Sequence, residues 1–355
     1  MFNDIYRGRR ILITGNTGFK GSWLALWLQR LGAHVTGLAL LPEAEPNHWS
    51  TLKLDHASVF IDIRNEEATR LAVAQANPEI VFHLAAQPLV RKSYAEPVET
   101  FATNILGTAN LLNACRPLSE LAAIVVVTTD KCYENKEWAW GYREIDPLGG
   151  YDPYSASKAG TELVAASFRR SFFNAPTRAL LATARAGNVI GGGDWSEDRL
   201  IPDLVRAISQ QEKLEVRSPR STRPWQHVLE CLSGYLRLGQ ALVERDIYAA
   251  DAWNFGPDLS GNRTVEELLT TFARSWPDVD WSLNQDTHPH EAKLLHLDSS
   301  KSRQHLQWRP VWSFDEAVDM TAQWYRGWLE DYCVSSEKQL DSYCITAKQR
   351  DLIWA

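Results

Sequence analysis

A glycine-rich segment near the start of the chain constrains the fold more than any other feature. Residues 9–14 are apolar enough for a buried strand, the segment 15–21 carries glycines at 15, 18 and 21, and an apolar helical stretch follows to about residue 32. Glycines let the backbone approach a diphosphate, which sits on a helix N-terminus where free N–H groups favour anions. The segment predicts a strand–turn–helix unit for a dinucleotide; a tight turn without a ligand is the alternative.

Strands and helices continue to alternate after this unit. Apolar runs predict strands at 34–40, 58–61, 80–84 and 122–128, and helices are expected at 66–75 and 98–115. This alternation is typical of a parallel sheet with helices on both faces, whose ligands bind at the carboxyl ends of the strands. The expected fold class is α/β: a Rossmann-type doubly wound parallel sheet with a smaller, mixed α/β C-terminal substrate-binding domain.

The chain of 355 residues is long enough for one large domain or two smaller ones. We expect the dinucleotide-binding domain at 1–175, with later segments returning to it, the substrate domain mainly at 176–332, and a tail of unknown role at 333–355. Thr264–Glu267 and Ser313–Glu316 have the pattern of capping boxes and predict helices that run to about residues 276 and 332.

Composition excludes several classes of function. The net charge of −7, without a long run of one sign, argues against nucleic acid and anionic membranes as partners. Five cysteines without a C-x-x-C pair indicate reduced thiols and argue against a disulfide framework or a zinc site. No signal peptide and no apolar run long enough to cross a bilayer is apparent, so a cytoplasmic, metal-free protein is expected.

The segment 151–158 carries the catalytic hypothesis. Asp152 suits a helix N-cap, so Tyr154 and Lys158, four residues apart, should lie on one helical face. A lysine ammonium beside a phenol is expected to lower the tyrosine pKa, which would let the phenolate take a proton from a substrate hydroxyl. The spacing alone is weak evidence and gains weight from the glycine segment.

Two further segments are predicted to be irregular, and the second carries possible ligand contacts. Residues 185–195 are too glycine-rich for a helix, and residues 217–227 form an irregular, arginine-dense stretch whose guanidinium groups suit diphosphate oxygens. A solvated surface loop is the alternative for the second segment. Residues 39–42, after the second strand, lack the acid that usually binds the adenosine ribose, which leaves NAD or NADP open on residue grounds.

With the glycine segment, Tyr154 and Lys158, the chain resembles the extended short-chain dehydrogenases/reductases that act on nucleotide sugars, from about residue 8 to 328. Residues 128–133, Thr-Thr-Asp-Lys-Cys-Tyr, are similar to the branch of 4,6-dehydratases that acts on CDP-glucose. Most 4,6-dehydratases have Asp-Glu or a single Glu after the active-site Ser or Thr, and epimerases have small residues. Segments 83–91, 185–195, 222–228 and 289–292 support the same resemblance.

The resemblance implies an NAD-dependent hydro-lyase. Tyr154, assisted by Lys158 and Thr129, would take the 4-hydroxyl proton as hydride leaves C4. Asp130, if protonated, would donate to the leaving 6-hydroxyl, and Lys131 would act at C5 as a base or as an electrostatic stabiliser. Hydride would return to C6 to give CDP-4-keto-6-deoxyglucose, a step in deoxysugar biosynthesis for O-antigen or lipopolysaccharide, and the enzyme would be a homodimer or a higher homo-oligomer.

The resemblance also assigns binding residues. Gly15, Thr17, Gly18, Phe19 and Lys20 would hold the cofactor diphosphate, Asp62 and Ile63 the adenine, Leu84, Ala85 and Ala86 the central cofactor, and Thr103 its ribose side, with Tyr154 and Lys158 also in contact. The substrate would meet Arg91, Asn188, Arg217, Arg223, His290 and Glu291.

Three other functions stay open. One is a nucleotide-sugar 4-epimerase or reductase, which has little use for an acid such as Asp130. Another is a 4,6-dehydratase acting on a dTDP- or GDP-hexose. The third is a non-enzymatic dinucleotide sensor, which has no need of Thr129, Tyr154 and Lys158 together.

Overall fold

The computed structural model describes residues 1–43, 45–174, 178–284 and 294–355. It has strands at Arg10–Thr14 (β1), His34–Ala39 (β2), Ala57–Phe60 (β3), Ile80–His83 (β4), Ala123–Val127 (β5), Leu180–Ala186 (β6), Val189–Ile190 (β7), Leu214–Val216 (β8), Thr222–Pro224 (β9), Gln226–His227 (β10), Ala252–Phe255 (β11), Asn262–Thr264 (β12) and Trp281–Leu283 (β13).

The α-helices of these residues alternate with the strands. They are Phe19–Arg30 (α1), His48–Leu52 (α2), Glu66–Ala76 (α3), Val90–Ala95 (α4), Pro97–Phe101 (α5), Gly107–Cys115 (α6), Pro153–Ser171 (α7), Leu200–Gln210 (α8), Val228–Val243 (α9), Val265–Ser275 (α10), Ser300–His305 (α11), Phe314–Asp331 (α12) and Ser336–Gln349 (α13). None of them combines the length and apolar character needed to cross a bilayer.

Seven strands form the central sheet in the order β11-β6-β5-β4-β1-β2-β3, and every neighbouring pair is parallel. Strands β4, β5 and β6 are buried along their whole length because helices cover both faces of the sheet. The predicted doubly wound α/β fold is therefore confirmed. Strand β11, at 252–255, is distant in sequence from the other six strands and pairs with β6.

The expected continuous helix at 98–115 is wrong in one respect. Helix α5 ends at Phe101, a π-helical turn covers Ala102–Leu106, and α6 begins at Gly107. The extra residue in a π turn re-aims the side chains around it, and such turns are frequent at functional sites. Thr103, an expected cofactor contact, lies in this turn.

The later part of the chain builds three small two-stranded sheets. Strand β7 pairs with β10, β8 pairs with β13, and β9 pairs antiparallel with β12. The stretch 217–227, expected to be irregular, therefore contains β9 and β10. Both capping boxes are confirmed. The Thr264 and Ser313 side chains each accept from the backbone N–H three residues on, and the Thr264 and Ser313 backbone N–H groups donate in return to the Glu267 and Glu316 carboxylates.

The segment after residue 333, for which the sequence indicated no role, packs onto helix α1. Helix α13 places Tyr343 edge-on against Trp27 of α1, with ring centroids 5.6 Å apart. The Phe2 N–H donates to the Trp354 carbonyl, and the two rings stack at 5.1 Å. The tail thus seals the outer face of α1.

Candidate active site

A cavity of about 610 Å³ lies at the carboxyl ends of the central strands. Residues that follow β1, β4, β5 and β6 line it, together with the start of α8 and the segment from β8 to β9. Among the sequence-predicted site residues, the described lining includes Phe19, Lys20, Arg91, Thr129, Asp130, Lys131, Tyr154, Asn188, Arg217 and Arg223.

Helix α7 positions the tyrosine and lysine as predicted. The Asp152 carboxylate accepts from the Ser155 N–H at 2.9 Å and caps the helix. Tyr154 and Lys158 are one turn apart and both are buried. The Lys158 ammonium donates to the Val127 carbonyl at the end of β5, over 3.2 Å, which fixes it beneath the cavity.

The expected lowering of the Tyr154 pKa is wrong for the protein without bound cofactor and substrate. Burial raises the pKa of Tyr154 to about 12, although the Thr129 hydroxyl and the Arg199 guanidinium act in the opposite direction. Burial, reinforced by the nearby Lys20 ammonium, lowers the pKa of Lys158 to about 8. The sequence argument considered the attraction between phenolate and ammonium but not the cost of burying either charge.

Thr129, Asp130 and Lys131 begin a short turn directly after β5. The Thr129 hydroxyl donates to Asp130 Oδ1 at 3.0 Å, while Asp130 Oδ2 is buried and has no hydrogen-bond partner among the described residues. Burial raises the pKa of Asp130, and the charges of Lys131 and Arg223 reduce that rise. The carboxyl group is thereby favoured in its neutral form, with one oxygen unused.

A buried ion pair ties α7 to the strands that carry the site. Arg185 on β6 donates to both carboxylate oxygens of Glu162, at 2.9 and 2.8 Å, and both side chains are 3% exposed. Thr128 and Thr183 donate to the same carboxylate, and Arg185 lies over the Tyr133 ring. Burial opposes ionisation, but the Arg185 guanidinium lowers the pKa of Glu162.

The glycine turn has the geometry expected for close approach. Gly15 has a φ of +74°, and a Cβ there would lie 2.8 Å from the Ala85 nitrogen, so the ends of β1 and β4 meet at this point. A Cβ at Gly21 would lie 2.0 Å from the Gly15 carbonyl oxygen. Gly18 precedes α1, and no side chain caps the N–H groups of the first turn. These groups remain available for an anion.

The other expected cofactor residues lie at the same edge of the sheet, with one difference. The segment 84–86 follows β4, and Asp62 and Ile63 follow β3, held where Asn110 donates to the Ile63 carbonyl at 3.0 Å. The Thr17 hydroxyl donates to the Leu40 carbonyl at 3.0 Å. Lys20, however, directs its ammonium to the Tyr235 hydroxyl, 3.5 Å away.

The expected substrate residues are only partly brought together. Arg91 and Arg217 both pair with Asp198, at 2.9 and 3.1 Å, so two guanidinium groups converge on one carboxylate in the cavity wall. Arg223 is buried and donates to the Thr222 carbonyl. Asn188 lies between β6 and β7. His290 and Glu291 lie outside the described residues.

Sequence reasoning missed residues just before α8. Arg199 lines the cavity, pairs with Asp194 at 2.8 Å and acts on the Tyr154 pKa. The resemblance assigns one substrate contact, Asn188, within the glycine-rich segment 185–195, but Asp198 and Arg199 lie beyond that segment. The sequence signal that could have identified them is a run of charged residues, 197–199, directly before α8.

The sheet order, the glycine turn and the Thr129–Tyr154–Lys158 arrangement are those of an extended short-chain dehydrogenase/reductase. A model of the family described as GDP-mannose 4,6 dehydratase matches residues 12–321. The CDP-glucose 4,6-dehydratase of Salmonella typhimurium is 46% identical over 349 residues, which are 96% of this chain and 97% of that protein.

Solved structures agree with this placement. The dTDP-glucose 4,6-dehydratase of Streptomyces venezuelae, with NAD and TYD bound, has a TM-score of 0.77 and 26% identity, covering 90% of this chain and 99% of that one. The UDP-glucose 4-epimerase of Thermotoga maritima has a TM-score of 0.78, covers 90% of this chain and 99% of its own, and at 22% identity supports the fold. The chain belongs to the GDP-mannose 4,6 dehydratase family, which confirms the resemblance found in the sequence.

Proposed function

We propose that the protein is an NAD-dependent CDP-glucose 4,6-dehydratase. It oxidises C4 of the sugar, removes water across C5–C6 and returns hydride to C6, without net redox change. The observation that carries this proposal is Asp130, a buried carboxyl group with one unpartnered oxygen, in the same cavity wall as Tyr154. The identity of the Salmonella relative over nearly the whole of both chains supports CDP-glucose as the substrate.

The glycine turn and strand ends fit NAD, which supplies the hydride acceptor when bound. The uncapped N–H groups of α1 suit its diphosphate, and the missing Cβ atoms at Gly15 and Gly21 let the turn close tightly. We assign Gly15, Thr17, Gly18, Phe19 and the Lys20 backbone to the diphosphate, Asp62 and Ile63 to the adenine, residues 84–86 to the central cofactor and Thr103 to its ribose side. The Lys20 ammonium instead contributes charge near Asp130 and Lys158.

Tyr154 is the group that accepts the proton of the 4-hydroxyl. Its pKa has to fall from about 12 as the site fills before the phenolate can accept this proton. Two neighbours favour the phenolate, the Thr129 hydroxyl and the Arg199 guanidinium. We assign the same role to the Lys158 ammonium, which lies one helical turn from Tyr154 and with a pKa of about 8 is mostly charged at pH 7. These groups act together with the bound ligands.

Elimination uses the turn after β5. Thr129 occupies Asp130 Oδ1, so Oδ2 is the oxygen that can carry a proton and donate it to the departing 6-hydroxyl. Burial raises the pKa of Asp130, which acts in the direction that this role as a proton donor requires. Lys131 follows in the same turn and either takes the C5 proton or stabilises the enolate oxygen that develops on its loss.

The proposal also includes the assembly of the protein, its location and its pathway. We propose a homodimer through α5 and α7, because these two helices contact each other and expose the large apolar side chains Val98 (80% exposed) and Leu163 (62% exposed). The domain division at residues 1–175, 176–332 and 333–355, the cytoplasmic location and a role in O-antigen or lipopolysaccharide deoxysugar synthesis are part of this proposal.

The experiment that tests the function is incubation with NAD⁺ and CDP-, dTDP-, UDP- or GDP-hexoses, followed by mass spectrometry for the loss of one water. We expect loss of water from CDP-glucose first. Comparable turnover of the dTDP sugar would remove the cytidine assignment and leave the dehydratase. Formation of a 4-epimer, which has unchanged mass and is separated from the substrate by chromatography, would show that the protein is an epimerase. No reaction with any sugar would favour the non-enzymatic dinucleotide sensor.

A further inference from the structure

The cavity extends beyond the arginines to an end formed by α8 and β8. Leu200, Ile201 and Pro202 line it from the first turn of α8, and Leu214 and Val216 line it from β8. Arg199 directly precedes α8 and Arg217 directly follows β8, and both side chains line the cavity between this end and Tyr154. Apolar walls on two opposing elements suit a flat base.

Two acids line this end, and they differ in environment. Asp203, in the first turn of α8, is half-buried, whereas Glu215 is exposed because its neighbours on β8 point inward. Glu215 accepts a hydrogen bond from the Asn284 amide at 2.7 Å. Asp203 accepts from Arg206 through Oδ1, and its Oδ2 accepts no hydrogen bond from any described residue.

The Asp203 carboxylate is held in one orientation. Arg206 binds its Oδ1 and is itself anchored, since its guanidinium donates to the Trp195 and Ser196 carbonyls at 3.2 and 3.1 Å. Burial raises the pKa of Asp203, and the Arg206 guanidinium opposes that rise. Asp203 lines the cavity, and the anchored pair leaves its second oxygen, Oδ2, able to accept a hydrogen bond.

An acceptor of this kind distinguishes cytosine from uracil and thymine. Cytosine carries an amino group at C4, whereas uracil and thymine carry a carbonyl oxygen there. An ionised carboxylate only accepts hydrogen bonds, so it pairs with the amino group and repels the carbonyl oxygen. Resting on the proposed function, we propose that Asp203 selects the cytidine nucleotide by accepting a hydrogen bond from the 4-amino group of the base.

The test is Asp203→Asn, with dissociation constants for CDP and UDP measured by calorimetry. Arg206 keeps the amide oxygen at the Oδ1 position, so the amide nitrogen replaces Oδ2 and presents a donor to the base. We expect CDP to bind about 10- to 100-fold more weakly, in the range for one hydrogen bond to a charged group, and UDP to bind more tightly. Asp203→Ala should weaken CDP without strengthening UDP.

The matched control is Glu215→Gln, which changes the other acid and should leave the CDP-to-UDP ratio unaltered. A folded Asp203→Asn variant that keeps the wild-type ratio would overturn the proposal, as would a ratio that changes only in Glu215→Gln. The dissociation constants test Asp203 whether or not CDP-glucose is turned over. Dehydration of CDP-glucose by the wild type separates failure of this inference from failure of the proposed function.

Discussion

The cofactor end and the substrate end of the cavity are built in different ways. At the cofactor end, the residues that we assign to NAD follow parallel strands, as Gly15 follows β1 and Asp62 follows β3. At the substrate end, they stand on short strands whose partners are distant in sequence, as β8 pairs with β13. One end is specified by local sequence and the other by tertiary contacts.

The two ends also treat charge differently. The glycine turn offers uncapped N–H groups, and its one charged side chain, Lys20, directs the ammonium to the Tyr235 hydroxyl. The substrate end has arginines already paired with carboxylates, such as Arg91 and Arg217 with Asp198. The cofactor end thus offers backbone groups that are already free to bind an anion. At the substrate end, an anionic ligand must first displace carboxylates from the arginines. Four experiments test this difference between the two ends.

The largest effect is expected where the two ends meet, at Tyr154. Tyr154→Phe removes one hydroxyl and should abolish reduction of NAD⁺ by substrate, a loss of about 10²- to 10⁴-fold for the missing acid–base group. Single-turnover absorbance of NADH measures it. Binding of CDP and NAD⁺ should be unchanged, which controls for folding. Near-normal NADH formation would show that Tyr154 is not the base.

The second effect is confined to the substrate side of the reaction. Lys131→Met keeps most of the side-chain volume and removes both possible functions at C5. We expect this variant still to reduce NAD⁺ with substrate but to incorporate no solvent deuterium at C5, as read by mass spectrometry. The wild type in deuterated buffer is the control, and deuterium at the wild-type level in the variant would exclude Lys131 from the elimination.

The third effect concerns Glu230 at the start of α9, which accepts the Val311 and Trp312 N–H groups and so holds the segment before α12. Burial raises the pKa of Glu230 to about 7, above the roughly 4.3 of an unfolded chain, so its contribution to stability is present below pH 4.3 and is lost as the pH rises to about 7. The free energy of unfolding of the wild type should therefore fall by on the order of 3 kcal/mol over this pH range. Urea unfolding of Glu230→Gln at the same pH values should not show this fall.

The control for Glu230 is a carboxyl group whose shift has the other sign. Hydrogen bonds from Ser313 lower the pKa of Glu316 against the effect of its partial burial. Glu316→Gln should therefore change stability most at neutral pH and least in acid. Parallel pH profiles of the wild type and Glu230→Gln would contradict the assignment.

The smallest effect concerns the cofactor end. Strand β2 ends in Ala39, and the next residues, Leu40 and Leu41, are exposed, so no acid stands where the adenosine ribose is usually bound. The missing charge-assisted contact corresponds to about 1.5–3 kcal/mol of NAD affinity. Activity of the protein as isolated should rise on addition of NAD⁺. Full activity without it would contradict this prediction.

The sequence predicted what local rules control. Strand ends, the Asp152 cap and both capping boxes follow from residue types within a few positions. The π-helical turn at 102–106 was missed because its residues have ordinary helical propensity. The Tyr154 pKa was misjudged because burial depends on packing. The docking of Tyr343 on Trp27 could not be foreseen, since nothing local specifies it.

The Glu162–Arg185 pair has a consequence for how this site can evolve. Removing one partner leaves an uncompensated buried charge, typically costing 3–5 kcal/mol, whereas replacing both by apolar residues can be nearly neutral. Drift through single substitutions is therefore blocked at both positions. Natural relatives should keep both residues or change both together, and a double-mutant cycle on Glu162 and Arg185 should show strong positive coupling.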